Sequence, residues 1–221
     1  MPVRGTAPFA TFLIVGPTCF FLGILFALFP YDYFVLWSTP TTATSLGAGI
    51  DARDPYFTLQ ENHLKFLHAS PPLISRILHI VIGTGLLGFL MKLYKPSEAN
   101  MLFDGASLVL YMCGIAVYIA NIVKGLRMVT AGVYGAPPGA EPVEAGHGNY
   151  VGREDSLRVL AASNTILALV LVGVLVLQAG QWYAQRKEQQ EIETMDRQRD
   201  EKRAHKKEAH VQAPHKEKKK Q

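Results

Sequence analysis

The stretch FATFLIVGPTCFFLGILFALF, residues 9–29, carries no charged residue at all. A bilayer core about 30 Å thick takes about 20 apolar residues of helix, because a helix satisfies its own backbone polar groups where water is missing. Three further stretches meet the same condition: 73–94, 104–123 and 157–177. The second follows Ser70-Pro71-Pro72, where serine can cap and proline fits a first helical turn. The fourth includes an almost wholly aliphatic run from Ile166 to Leu177. Period-two alternation is missing, which argues against a barrel. The sequence therefore predicts an all-α membrane protein with four transmembrane helices and a charged, partly helical C-terminal tail.

Composition supports the same class. Of 221 residues, 49% are apolar and 18% charged, and the net charge of +4 is unevenly placed. Residues 184–221 hold 12 of the 22 Lys and Arg and 8 of the 18 Asp and Glu, so the rest of the chain is neutral. A nucleic-acid-binding domain needs its basic residues on a folded surface, so that class is excluded. The first span exceeds a signal-peptide core, and no small-x-small cleavage site precedes Pro30, so a retained helix is expected.

Four spans place both ends on one side, and the basic tail beside the fourth span places that side in the cytosol. The expected layout is a short cytosolic N-terminus (1–8), a membrane domain (9–180) with outer loops at 30–72 and 124–156, and a cytosolic tail (181–221). In the first outer loop, Asp54-Pro55 reads as a helix start, and Phe57, Leu64 and Leu67 form one apolar side of a short helix on the membrane surface. The second outer loop, rich in Gly and Pro from Gly125 to Asp155, reads as irregular. Tyr31, Tyr33 and Trp37 favour the interface at the start of the first outer loop, and past Trp182 and Tyr183 the fourth helix continues as a solvated, charge-paired helix that frays near Pro214.

Ionisable and amide residues inside spans are costly, roughly 2.5–3.5 kcal/mol at a helix centre for charges. Here they are Arg76, His79, Asn121, Arg158 and Asn164. Arg76, His79 and Gly83 share one helix face by spacing. Two readings stay open: a polar seam that bonds polar groups of another protein's membrane helices, or snorkelling and internal bonding that hold the bundle together. Gly83, Thr84 and Gly88 are candidate close-packing positions. Their frame, Gly83-Thr84-Gly85-Leu86-Leu87-Gly88, fits the dinucleotide pattern GxGxxG, but no strands exist to build the sheet that pattern needs. Gly16-Pro17 predicts a bend in the first span, read either as a hinge or as a static kink. Cys19 and Cys113 read as small apolar packers, and Asp104 as a helix N-cap. Glu61, His63 and His68 lack metal-ligand spacing, and no catalytic set can be assembled. No cofactor or metal is expected. Lys218 and Lys219, at the third and fourth places from the carboxyl end, match a dilysine retrieval signal.

The strings Phe9-Ala10-Thr11-Phe12-Leu13-Ile14-Val15-Gly16-Pro17, Phe29-Pro30-Tyr31-Asp32-Tyr33, Leu78-His79-Ile80-Val81-Ile82-Gly83 and Phe103-Asp104-Gly105-Ala106-Ser107 resemble the fungal Shr-type secretory component family. The resemblance covers about residues 8–180. It implies a non-catalytic endoplasmic-reticulum membrane chaperone that prevents aggregation of amino acid permeases and promotes their packaging into transport vesicles. Its implied partners are those permeases, the lipid bilayer and, through the tail, vesicle coat components. Two other classes remain as alternatives: a small multi-pass transporter or channel, and a non-catalytic subunit of a membrane enzyme.

Overall fold

The computed structural model describes residues 6–37, 54–94, 98–132, 134 and 152–212. In chain order the elements are α1 (Thr6–Leu36), α2 (Asp54–His68), α3 (Pro72–Leu93), α4 (Glu98–Val117), a π-helical segment (Tyr118–Val123), α5 (Lys124–Ala131) and α6 (Arg153–Gln212). No strand occurs among the described residues. Four helical stretches are long and apolar enough to cross a membrane: Phe9–Leu36, Pro72–Leu93, Met101–Ala131 and Arg153–Glu208. The protein is an all-α, four-span membrane protein.

Three boundaries differ from the sequence reading. α1 passes through both Pro17 and Pro30. Each proline removes one backbone donor, a loss that membrane helices tolerate when neighbours and hydroxyls compensate. Beside Pro17, the Thr18 hydroxyl donates to the carbonyl of Ile14, four residues back, at 2.7 Å. The third span begins earlier, at Glu98, so Asp104 is an interior residue of α4, 3% exposed, and not a cap. It also runs on through Ala131 and stops at Gly132, whose φ of 65° is the left-handed conformation that glycine adopts without a Cβ clash. The first part of the expected irregular loop and its last three residues, 153–155, are thus helical, while 133 and 135–151 lie outside the described residues.

The chain divides into two compact units, Met1–Gln178 and Ala179–Gln221. In the first, α1 packs mainly on α3, α3 on α4, and α2 on α5 and α1. One core joins Ile14, Phe21 and Leu25 of α1 to Phe89 of α3, Tyr111 of α4, and Leu167, Leu171 and Val174 of α6. A second joins Val35 of α1, Phe57 and Leu64 of α2, Val129 of α5, and Leu157, Leu160 and Ala161 of α6. Large apolar side chains also cover the outside, among them Phe12, Phe26, Ile80 and Leu169, each at least 66% exposed. Water would not tolerate so much outward apolar surface on four helices; lipid does. Cys19 and Cys113 are exposed on this outer surface and do not pack in the core.

In the second unit, α6 carries Arg186 over the Trp182 ring at 5.3 Å and Lys187 over Tyr183 at 6.0 Å. These pairs fit an aromatic belt beside a charged helix.

Candidate functional site

α2 begins at Asp54, where an acidic side chain and a first-turn proline suit the positive end of the helix dipole. Phe57 and Leu64, seven residues apart, fall on one face and are buried, with Gln60 between them. Leu67, expected on the same side, is 39% exposed because it borders an open groove. That groove, about 490 Å³, is the candidate site. Its walls are Phe21, Ile24, Leu25 and Leu28 of α1, Leu64 and Leu67 of α2, Ile74 and Leu78 of α3, Ile122 and Leu126 beyond the third span's middle, and Leu160 and Leu167 of α6. Its polar lining comes from His68, Ser70, Ser75, His79, Tyr118, Arg127 and Asn164. Part of one wall is the π segment, where an added residue per turn shifts side chains off the helical register; such segments concentrate at functional sites.

Beneath the groove lies a buried polar triad. Asp32 of α1 accepts from Gln60 Nε2 at 2.8 Å and from Asn164 Nδ2 at 3.0 Å. All three residues are at most 5% exposed. The carboxylate orients both amides with their nitrogens inward, which leaves Gln60 Oε1 and Asn164 Oδ1 buried without a hydrogen-bond partner. A buried acceptor left unmade costs roughly 1–3 kcal/mol, so two of them beside a groove call for an explanation.

α2 is also held at its solvent side. Arg153, at the start of α6, donates to Glu61 at 2.6 Å, Asp54 at 2.9 Å and the Thr58 hydroxyl at 3.0 Å, and Lys65 donates to Glu61 at 2.7 Å. Burial pushes the Glu61 carboxyl up, but the bonds from Lys65 and Arg153 outweigh it and hold the carboxyl below its usual value of 4.5. A depressed carboxyl stabilises the fold above its unfolded pKa and loses that contribution as pH falls through the folded value. Amide-exchange protection of α2 is therefore expected to be full above pH 4.5 and to drop below it. Arg153→Met is expected to lower that protection already at pH 7, by on the order of 1 kcal/mol. Unchanged α2 protection in the variant would remove the tie from the account.

The opposite end of the bundle is closed by a second buried cluster. Lys92 of α3 donates to Asp104 of α4 at 3.1 Å and to Gln178 Oε1 of α6 at 2.7 Å, while Gln178 Nε2 donates to Ser107 at 3.1 Å and to Asp104 at 3.3 Å. Residues of three spans meet there, Asp104 and Ser107 both from α4, with the Lys92 and Asp104 side chains only 8% and 4% exposed.

The residues singled out by sequence divide accordingly. Asn164 and His79 line the groove. His79 Nδ1 lies against the Ser75 carbonyl, which only accepts, so Nδ1 is the donor of that bond. Arg76 and Asn121 are exposed and outside the groove. Arg158 stays with its own helix, 3.4 Å from both Glu154 and Asp155, and stacks over Phe57 at 5.3 Å. Gly88 is in close approach to α1: a Cβ there would stand 2.9 Å from Ile14 and 3.0 Å from the Ala10 carbonyl. Gly83 faces open space, and Thr84 bonds its own helix at Ile80. Gly16 has open space, and Pro17 is buried within a continuous α1. Lys218 and Lys219 lie outside the described residues. Sequence reasoning passed over Asp32, Gln60, Arg127, Lys92 and Gln178. It also missed Gly85, where a Cβ would fall 2.3 Å from the Tyr111 hydroxyl, and that hydroxyl bonds the Ile82 carbonyl across α3 and α4.

A groove in a four-span bundle narrows the class without naming it. Comparison with protein families matches residues 5–219 to the SHR3 chaperone family, described as ER membrane protein SH3. The chain belongs to that family. The secretory component protein psh3 of Schizosaccharomyces pombe is 24% identical over 178 residues, which is 80% of this chain and 70% of psh3. No solved structure matches. The SHR3 family assignment makes this an endoplasmic-reticulum membrane protein of chaperone type, so the groove is the place to look for a client surface.

Proposed function

We propose that this protein assists the folding of amino acid permeases in the endoplasmic-reticulum membrane, prevents their aggregation and promotes their packaging into transport vesicles. The groove of about 490 Å³ between α1, α2, α3, the π segment and α6 carries this reading. A permease helix that has not yet packed presents apolar surface together with polar groups whose partners are missing. An apolar trough with a few polar points takes up both. Membrane hydrogen bonds average about 0.6 kcal/mol, so contacts of this kind hold a client without trapping it.

Both termini face the cytosol in this proposal, because the basic tail stays on that side. The groove then opens toward the lumenal half of the bilayer. The tail presents folded cargo to vesicle coat components, with Lys218 and Lys219 returning the empty chaperone.

Filling the trough tests the reading. Leu67 and Ile74 line it and are already 39% and 48% exposed, so Leu67→Trp with Ile74→Trp adds bulk without disturbing either core. The double variant is expected to insert at normal levels but leave permeases aggregated, the outcome also expected for full removal, while unrelated secretory cargo exits. Normal permease solubility in cells carrying it would sink the groove as client site. Truncation after Tyr183 is expected to spare permease solubility and reduce vesicle loading; loss of solubility as well would contradict the division of labour.

A further inference from the structure

We infer that the groove selects membrane helices that carry a hydrogen-bond donor, and that the group reading the donor is Oδ1 of Asn164. This inference rests on the proposed client role and adds its chemistry.

Asp32 sets the polarity of the triad. Asp32 is acceptor-only when ionised, so it fixes the amide of Asn164 with its nitrogen inward at 3.0 Å. Rotating that amide would place two oxygens against each other. Oδ1 therefore points away from Asp32, and it is buried without a partner in a side chain only 5% exposed. The residue lines the groove. Asn164 thus adds one buried, unpartnered acceptor to a lining that is mostly apolar.

That polarity decides between occupants. An acyl chain of a phospholipid fits an apolar trough but brings no donor to this depth, and it leaves Oδ1 unsatisfied. A helix with only Leu, Val and Ala does the same. A helix with a Ser, Thr, Asn or Gln side chain fills the trough and closes the bond as the lining side chains part around it. Such residues occur inside the membrane segments of transporters, where they await partners until the fold closes. The same groove releases the helix once a native partner offers a better bond. Asn164 lies seven residues past Leu157, where the fourth apolar stretch starts, or about 10 Å along the helix axis.

The test uses the full chain in phosphatidylcholine nanodiscs and synthetic Leu-rich transmembrane peptides, read by fluorescence transfer. One peptide carries Ser about 10 Å from one end of its apolar stretch, and its control carries Ala there. The unaltered protein is expected to bind the Ser peptide about 3-fold tighter, within a ceiling of about 18-fold, the range that membrane hydrogen bonds span. Asn164→Leu is expected to erase the difference and leave Ala-peptide binding in place. Equal binding of the two peptides to the unaltered protein overturns the inference, and so does a Ser preference that survives in Asn164→Leu. Tightly co-purifying phospholipid that neither peptide displaces assigns the groove to lipid and overturns it too, as does a dimer of this chain that dissociates when Trp is placed at Leu67 and Ile74. Because no permease takes part, a failed permease assay alongside an intact Ser preference would reject the client identity and spare the donor selection.

Discussion

Asp104→Ala is expected to lower the stability of the membrane domain by about 3 kcal/mol, with more than half of that loss recovered when Lys92→Met and Asp104→Leu are made together. Removing one partner of a buried ion pair leaves a charge without compensation, about 3–5 kcal/mol in proteins generally, whereas replacing both by apolar volume is often neutral. The low end applies because Lys92 is one residue from the end of α3, and its stem can carry a freed ammonium toward the interface. Gln178 bonds both charges, so the same substitution also loosens α6 from α3 and α4. Denaturant unfolding of the detergent-solubilised protein measures the difference. Equal losses in the single and double variants would mean that the pair acts only through packing.

The second large effect separates two glycines that the sequence treats alike. Gly88→Ala is expected to cost about 1–3 kcal/mol, the usual range for overpacking. Its Cβ would lie 2.9–3.0 Å from Ile14, the Ala10 carbonyl and Leu13 Cβ, and the last two belong to or adjoin the α1 backbone, which cannot yield by a rotamer change. Gly83→Ala meets nothing within 4 Å and is expected to stabilise, by up to about 1 kcal/mol, because alanine loses less backbone entropy in a helix. The same unfolding assay reads both. A loss at Gly83 matching that at Gly88 would contradict the packing of α1 on α3.

These cases mark how far the residues could be read without their neighbours. Spans were legible because their signal is local: about 20 uninterrupted apolar residues have few other solutions. Phe57 and Leu64 were legible as one face of α2 because seven residues make nearly two turns. Asn164 stood out as an amide in an apolar run, but nothing in the chain said that its nitrogen faces Asp32, 132 residues away, and its oxygen does not. Gln60 and Asp32 were not singled out, because neither lies within the four apolar stretches 9–29, 73–94, 104–123 and 157–177. Gly83 and Gly85 differ by two positions and so by more than half a helical turn, and only the position of Tyr111 decides which of them is crowded.

Taken alone, the amino-acid order determined that lipid surrounds this chain, how many times the chain crosses it and where its charge collects, because backbone hydrogen bonding in an apolar solvent permits only long apolar helices. Tertiary structure decided which polar atoms are left over. A hydrogen bond depends on a partner's position and orientation to within a few tenths of an ångström, and the partners of Asp32, Lys92 and Asn164 come from other helices. The groove, and the acceptor left beside it, exist only once those helices have met.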